Sequence, residues 1–243
     1  MQEHIPTYEE ALSIFEEFNQ SESLLKHAYS VEGVMRYLAR EKGEDEEKWG
    51  IIGLMHDLDY EKFPEQHCQK SREILEERGW PEEYIRAIVS HGWGICSDTE
   101  PKTDMEKILY TIDELTGLVT AVAIIRPSRS VSDLEAKSVM KKWKDKAFAA
   151  GVNRSIIEKG REMLGMELSD LITDVIMGMR EVADHIRRLA GEGYAILLVE
   201  QNASLALTLA KRAYVLEIGR IALEGDAKQV QDNEHVKKAY LGI

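Results

Sequence analysis

Histidine and aspartate side chains recur through the first half of the chain, at positions that helices could bring together. His56 and Asp57 follow directly on the apolar run "IIGLM" within "IIGLMHDLDYEKF". His27 lies on the apolar face of an earlier predicted helix, and Asp113 interrupts the most apolar predicted helix. An unpaired carboxylate in a buried segment costs several kcal/mol or must be neutralised. The pattern therefore predicts a partner for these groups.

A bound cation would resolve that cost for the whole set. Imidazole and carboxylate ligands suit divalent ions such as Mn, Fe, Co, Ni, Zn or Mg. Adjacent helical residues diverge by about 100°, so His56 and Asp57 can straddle one ion, or Asp57 can bridge two. For each histidine taken alone, a hydrogen-bonded core residue is the alternative interpretation.

Helical patterns run from residue 7 to about 184 and would position these side chains. Residues that favour the starts and ends of these helices are the capping-box pair Thr7 and Glu10, Gly43, Gly79, Pro81 and the dipeptide Arg126-Pro127. The segment "DMEKILYTIDELTGLVTAVAII" is the longest and most apolar of these helices, and two or three more fill residues 131–184.

The pattern changes after about residue 190. The run "YAILLVE" is typical of a buried parallel strand. A short helix "NASLALTLAKR", two strands joined through Gly219 and a closing helix follow. The predicted fold class is mainly α, as a helical bundle domain at 1–184 with a small α/β appendage at 185–243.

Composition limits the classes of function. The 243 residues carry a net charge of −13, which argues against nonspecific nucleic-acid binding. Residues 185–243 hold 8 Lys+Arg and 7 Asp+Glu, whereas 1–184 hold 23 and 37, which supports a junction near Asp184. No apolar run has bilayer-spanning length, the two cysteines form no disulfide framework, and we see no export signal. We therefore expect a cytoplasmic protein with no membrane or nucleic-acid partner.

The order His27, His56-Asp57, Asp113 on successive helices resembles the HD superfamily of metal-dependent phosphohydrolases. The stretches "MHDLDYEKFPE" and "TIDELTG" carry the resemblance, which covers about residues 1–184. Within the superfamily, the sequence is similar to the small bacterial HDIG-type hydrolases, although their "HDIG" motif reads "HDLD" here, without the glycine. The resemblance implies an HD-type helical bundle.

The superfamily has one-metal and two-metal forms, and the two-metal form adds two histidines between the HD pair and the last aspartate. His67 and His91 occupy that order here. The resemblance then implies a first ion held by His27, His56, Asp57 and Asp113, and a second held by Asp57, His67 and His91. Asp57 and His56 would be catalytic.

The resemblance implies hydrolysis of a small phosphate mono- or diester, of a nucleotide-like kind, by metal-activated water. The negative charge of the substrate's phosphate needs cationic side chains to bind it. The candidates are Lys62, Lys70, Arg126, Lys137 and Lys141. Glu61 and Glu114 flank the site and are candidates to orient a water or a ligand. Two alternatives stay open, a di-iron oxygenase of the HD type and a nucleotide-binding module without turnover.

The last segment resembles a different family. "GYAILLVEQNASLALTLAKRAYVLEIGRIALEG" and "HVKKAYLG" are similar to the end of the ATP-binding subunit of branched-chain amino-acid ABC transporters, with Gln201 where many relatives have a histidine. The phosphate loop G-x-x-x-x-G-K-[ST] and the "LSGGQ" signature are missing from the sequence. We therefore predict no ATPase activity. Packing on the helical domain, pairing with a second copy and partial disorder are the alternatives for this fragment, of which we favour a homodimer.

Overall fold

The computed structural model describes residues 4–191, 206–207, 210–217 and 219–241. Within residues 4–191 the elements are α1 (Tyr8–Phe18), α2 (Glu22–Lys42), α3 (Glu46–Met55), a 3₁₀ turn (Pro64–Gln66), α4 (Gln69–Glu77), α5 (Glu82–Ser90), α6 (Asp104–Ile124), α7 (Ala136–Trp143), α8 (Arg154–Leu164) and α9 (Leu168–Gly191). Later elements are β1 (Arg212–Glu217), β2 (Arg220–Asp226), α10 (Ala227–Asp232), α11 (Glu234–Val236) and a π-helical turn (Lys237–Leu241). This confirms the mainly α fold class with a small α/β appendage.

The chain forms two compact units. One comprises Met1–Val122 and Glu135–Val182, and the other comprises Ala123–Leu134 and Ala183–Ile243. Helix α9 runs through residue 184 without a break. The domain boundary between 184 and 185 stays a prediction.

The core of the first unit is built from buried apolar side chains of α1 to α9. Asp45 accepts a hydrogen bond from the Lys48 N–H and caps α3, whose residues Trp49–Met55 are all buried. Helix α2 ends at Gly43, which adopts the left-handed conformation (φ 71°) expected of a C-terminal glycine. The largest fully buried side chains include Phe15, Met35, Ile51, Ile52, Leu54, Met55, Leu58, Leu75, Ile85, Ile88, Ile108 and Leu109.

Two histidines end the helices that carry them. Helix α3 stops at Met55, so the HD pair lies just beyond it, and His56 Nδ1 donates to the carbonyl oxygen of Gly53, 2.8 Å away. His91 follows α5 in the same way, and its Nδ1 donates to the carbonyl oxygen of Ile88 over 2.6 Å. Each imidazole is thus anchored to a carbonyl oxygen in the last turn of its own helix.

The appendage contains the predicted hairpin. Strands β1 and β2 pair antiparallel and are joined through Gly219 (φ 74°), as the sequence predicts. The predicted strand "YAILLVE", residues 194–200, and Gln201 lie outside the described residues, as does most of the helix predicted at 202–212. The predicted closing helix is divided at Asn233, whose side chain accepts from the His235 N–H and starts α11.

Each helix in the described part of the chain is too short or too polar to span a bilayer.

Candidate metal centre

Four of the predicted ligands meet in one half of the site. His27 Nε2 lies 2.9 Å from Asp113 Oδ1 and 3.2 Å from His56 Nε2. His56 Nε2 lies 3.3 Å from Asp57 Oδ2 and 3.5 Å from Asp113 Oδ1. Ligands placed about 2.0–2.2 Å from one ion stand roughly 3.0–3.5 Å apart. The spacing of these donor atoms therefore fits a single ion, and we call this group half-site A.

The other two histidines form half-site B with the same aspartate. His67 Nε2 lies 3.0 Å from His91 Nε2, and the two nitrogens lie 3.4 and 3.6 Å from Asp57 Oδ1. The two oxygens of Asp57 thus face different half-sites, Oδ2 towards half-site A and Oδ1 towards half-site B. All six predicted ligands converge on one place, with Asp57 in the middle.

Hydrogen bonds determine which ring nitrogen is available for a metal. Carbonyl and carboxylate oxygens only accept, so His56, His67 and His91 must carry their hydrogens on Nδ1. In the neutral form, these rings therefore present Nε2 lone pairs to the site. Two lone pairs facing each other at 3.0 Å, as between His67 and His91, repel unless a proton or a metal ion lies between them. The donor set therefore fits a divalent ion in each half-site.

The acids of the site are held in the ionised form. Burial by itself raises the pKa of Asp57, but the imidazoles of His56 and His91 outweigh burial and hold it well below the usual range. Burial likewise opposes ionisation of Asp113, yet the neighbouring imidazoles of His27 and His56 lower its pKa. Carboxylates that keep their charge inside the protein are suited to binding cations.

The pKa values of two histidines of the site, His56 and His67, are raised. Burial lowers the pKa of His56, but the charges of Asp57 and Asp113 prevail and raise it well above the ordinary value. For His67, burial is again outweighed, here by the hydrogen bond to Asp59, so its pKa is raised. The site stabilises positive charge at its centre.

Two residues near half-site B were missed by the sequence reasoning. Asp59 is fully buried, with its Oδ1 2.7 Å from His67 Nδ1. The only signal for it was a carboxylate between the HD pair and the next histidine. Cys68 has its Sγ 3.3 Å from the Cys96 Sγ, and we call these two residues the thiol pair. The Cys68 Sγ also lies within 4.8 Å of donor atoms of His67 and His91, which makes it an alternative third ligand there. We favour Asp57 in that position because its Oδ1 lies within 3.6 Å of both imidazole nitrogens.

The lysines predicted to bind phosphate near the HD pair have partners within the protein. Lys62 Nζ donates to the carbonyl oxygen of Glu17 over 2.6 Å and lies 4.8 Å from the centre of the Phe18 ring. Lys70 forms an ion pair with Glu73. A substrate phosphate would have to compete with these contacts.

The other three basic candidates follow α6. Arg126 donates to Asp133 over 2.8 Å, and Lys137 Nζ lies 2.5 Å from a Glu135 oxygen. Lys141 is exposed on α7, the same helix as Lys137. Their role as phosphate ligands stays a prediction.

The two glutamates that flank the site have defined backbone partners. Glu61 accepts the N–H groups of Gln20 and Ser21, both over 2.8 Å, and so ties the start of α2 to the segment after the HD pair. Glu114 accepts the N–H of Asn153 over 2.9 Å, and burial raises its pKa. The contacts of Glu61 hold two segments of the backbone together. Glu114 is next in sequence to the proposed ligand Asp113, so it stays the candidate to orient a water or a ligand.

Comparison with known proteins identifies the helical region. Residues 24–118 match the family model of the HD domain. All six residues of the two half-sites fall within this range. No solved structure matches the chain.

Curated relatives match a different part of the chain. It is 38% identical over 91 residues to the high-affinity branched-chain amino acid transport ATP-binding protein BraG of Pseudomonas aeruginosa, covering 37% of this chain and 38% of that protein. It is 30% identical over 97 residues to the probable branched-chain amino acid transport ATP-binding protein LivF of Archaeoglobus fulgidus, covering 40% and 37%. The lipopolysaccharide export system ATP-binding protein LptB of Escherichia coli K12 is 27% identical over 67 residues, covering 28% and 27%.

The chain thus spans under two-fifths of the length of these relatives. An alignment of 91 residues cannot fit within residues 185–243, so the similarity includes residues before 185. The chain therefore contains an HD domain at residues 24–118 and a C-terminal region similar to the ATP-binding subunits of ABC transporters.

Proposed function

We propose that this protein is a metal-dependent phosphohydrolase that binds two divalent ions, one in each half-site, and hydrolyses a small phosphate ester. The HD domain suggests the class of reaction. The observation that carries the two-ion proposal is the position of Asp57, whose two oxygens face two separate groups of ligand atoms.

The residues of this chain would share the work as follows. His27, His56 and Asp113 complete half-site A, and His67 and His91 complete half-site B. A bound divalent ion would lower the pKa of a coordinated water towards neutrality and offset charge on the phosphoryl group. Asp57 holds the two halves in a fixed relation, and the Nδ1 hydrogen bonds of the histidines keep their Nε2 atoms directed at the site.

For the substrate we propose a phosphomonoester or phosphodiester of a nucleotide-like kind. The support is the chemistry of the site, since paired divalent ions suit the attacking and leaving oxygens of an in-line displacement. Exposed Lys141 is the basic candidate without an ion pair among the described contacts, whereas Lys62, Lys70, Arg126 and Lys137 already have partners within the protein.

Metal content of single-site variants tests the two-ion proposal. After chelation and dialysis against Mn²⁺ or Zn²⁺, the wild-type chain should bind two ions. Asp113→Asn and His67→Gln should each retain one ion, and Asp57→Asn should lose tight binding of both. Asp104→Asn is the matched control on α6, because Asp104 is exposed and pairs only with Lys42 among the contacts described for it. Asp57→Asn that still binds two ions with wild-type affinity would contradict the proposal.

Activity is tested with a panel of phosphomonoesters, cyclic nucleotides and dinucleotides. We expect metal-dependent phosphate release by the wild type under argon with Mn²⁺, and its loss in Asp57→Asn. Oxygen uptake that depends on bound iron, without phosphate release, would instead support the oxygenase alternative. Tight nucleotide binding without either reaction would support a binding module.

We also propose that the appendage mediates self-association. Leu216 and Ile221 are paired across the hairpin and are 65% and 58% exposed, and Tyr214 on β1 is 49% exposed. An exposed cluster of large apolar side chains favours contact with a second copy. Light scattering should give a dimer mass for the wild type and a monomer mass for Leu216→Lys. A monomeric wild type would refute this proposal.

A further inference from the structure

Asp59 has no exposed surface, and both of its oxygens are engaged. Its Oδ1 accepts from His67 Nδ1 over 2.7 Å. Its Oδ2 accepts from the backbone N–H of Ser71, in the first turn of α4, over 2.8 Å. A single carboxylate therefore links the metal-facing histidine to the helix that follows it.

The other two oriented histidines are held differently. His56 and His91 donate to backbone carbonyl oxygens of their own helices, whereas His67 lies in the turn before α4 and has no such carbonyl as its partner. A carboxylate is a stronger acceptor than a carbonyl and makes the ring that it holds a better ligand. Asp59 also adds negative charge to half-site B, whose carboxylate ligand, Asp57, is shared with half-site A.

We infer that Asp59 is a positioning residue that fixes His67 in its Nδ1–H form and thereby enables half-site B to bind its ion. This inference rests on the proposed two-ion site. Asp59 stands at the position of the glycine in the "HDIG" pattern, where a glycine would offer no acceptor to His67. The residue that departs from the pattern, Asp59, is therefore the hydrogen-bond partner of His67, a ligand that only a two-ion site needs.

Because Asp59 accepts two hydrogen bonds, Asp59→Asn tests whether it fixes the tautomer of His67. An asparagine has one acceptor oxygen, but both the Ser71 N–H and the His67 Nδ1–H need one. The backbone N–H cannot change, so the amide oxygen should turn to Ser71 and the NH₂ group to His67. The imidazole must then accept at Nδ1 and carry its hydrogen on Nε2, which blocks the nitrogen that faces the site.

The experiment measures Mn²⁺ or Zn²⁺ binding by the full chain through equilibrium dialysis. We expect Asp59→Asn to bind one ion as tightly as the wild type and the second about 10- to 100-fold more weakly. Glu106→Gln is the control for loss of a buried carboxylate away from the site, because Glu106 is only 3% exposed, accepts the backbone N–H groups of Lys102 and Thr103 and pairs with Arg86. It should keep both ions. Two ions bound by Asp59→Asn with unchanged affinity would overturn the inference.

A second measurement separates this inference from the proposed function. The histidine ¹⁵N chemical shifts of chelated wild-type protein, recorded at alkaline pH where the imidazole is neutral, report the tautomer of His67 without any metal. The signal missing in His67→Gln assigns this residue. We expect Nδ1–H in the wild type and Nε2–H in Asp59→Asn. An Nε2–H tautomer in the wild type would refute the role of Asp59. A wild type with the expected tautomer that binds only one ion would refute the two-ion proposal instead.

Discussion

Two glycines in the middle of long helices should respond in opposite ways to the same substitution. Gly178 of α9 packs against α2, the helix that carries His27, and a Cβ added there would lie 2.6 Å from Val34 Cα and 3.1 Å from its Cγ2. Gly117 of α6 has room, since its added Cβ would meet only Val152 Cγ2, at 3.7 Å, within 4 Å.

The magnitudes follow from these distances. Replacing a mid-helix glycine by alanine gains about 1 kcal/mol from helix propensity at either site. At Gly178 the clash is with a backbone atom that cannot rotate away, so the cost should reach the upper end of the roughly 1–3 kcal/mol typical of overpacking. We therefore expect Gly178→Ala to lower the free energy of unfolding by about 2 kcal/mol and Gly117→Ala to raise it by about 1 kcal/mol.

Urea unfolding of both variants in the presence of a chelator measures the difference without a contribution from bound metal. The slope of the free energy against urea should match the wild type in both cases, so that the midpoint alone reports the change. Equal stability of the two variants, or a more stable Gly178→Ala, would refute the close packing of α9 on α2.

Three further predictions concern the metal, the α2 anchor and the thiol pair. Mn²⁺ or Zn²⁺ at 100 times its dissociation constant should raise the free energy of unfolding by about 2.7 kcal/mol per site, measured by urea titration, and no rise would argue against binding to the folded state. The pKa of Glu61 is lowered from its ordinary value of 4.5, mainly by the N–H of Ser21 and then that of Gln20, so its contribution is present above pH 4.5 and is lost as the pH falls through the lower folded value. The melting temperature of Glu61→Gln should therefore lie below that of the wild type at pH 7 and approach it in acid, and a gap that widens in acid would contradict this sign. A Cβ on Gly92 would lie 2.4 and 2.6 Å from the sulfurs of the thiol pair, so Gly92→Ala should displace the neighbouring His91 and weaken the binding of one of the two ions. A Cβ on Gly151 has nothing within 4 Å, so Gly151→Ala should bind both ions. Equal metal binding by the two variants would contradict this prediction.

Local features of the chain were readable because they depend on neighbouring residues. The Thr7 cap, the glycine end of α2 and the hairpin through Gly219 appear where the sequence predicts them. The HD pair behind an apolar run indicated a charged group at the end of a buried helix. The resemblance, more than the periodicity, selected His67 and His91 from the remaining histidines.

The sequence by itself determined the helices, their ends and the types of ligand available. Only the tertiary structure brought His27 to Asp113 across 86 residues, directed the two oxygens of Asp57 at different half-sites and placed Asp59 against His67. Helix signals act over a few residues, whereas the direction of a side chain depends on the packing of helices far apart in the chain. For that reason a carboxylate that looked like a departure from a motif became the partner of a ligand histidine once the fold was known.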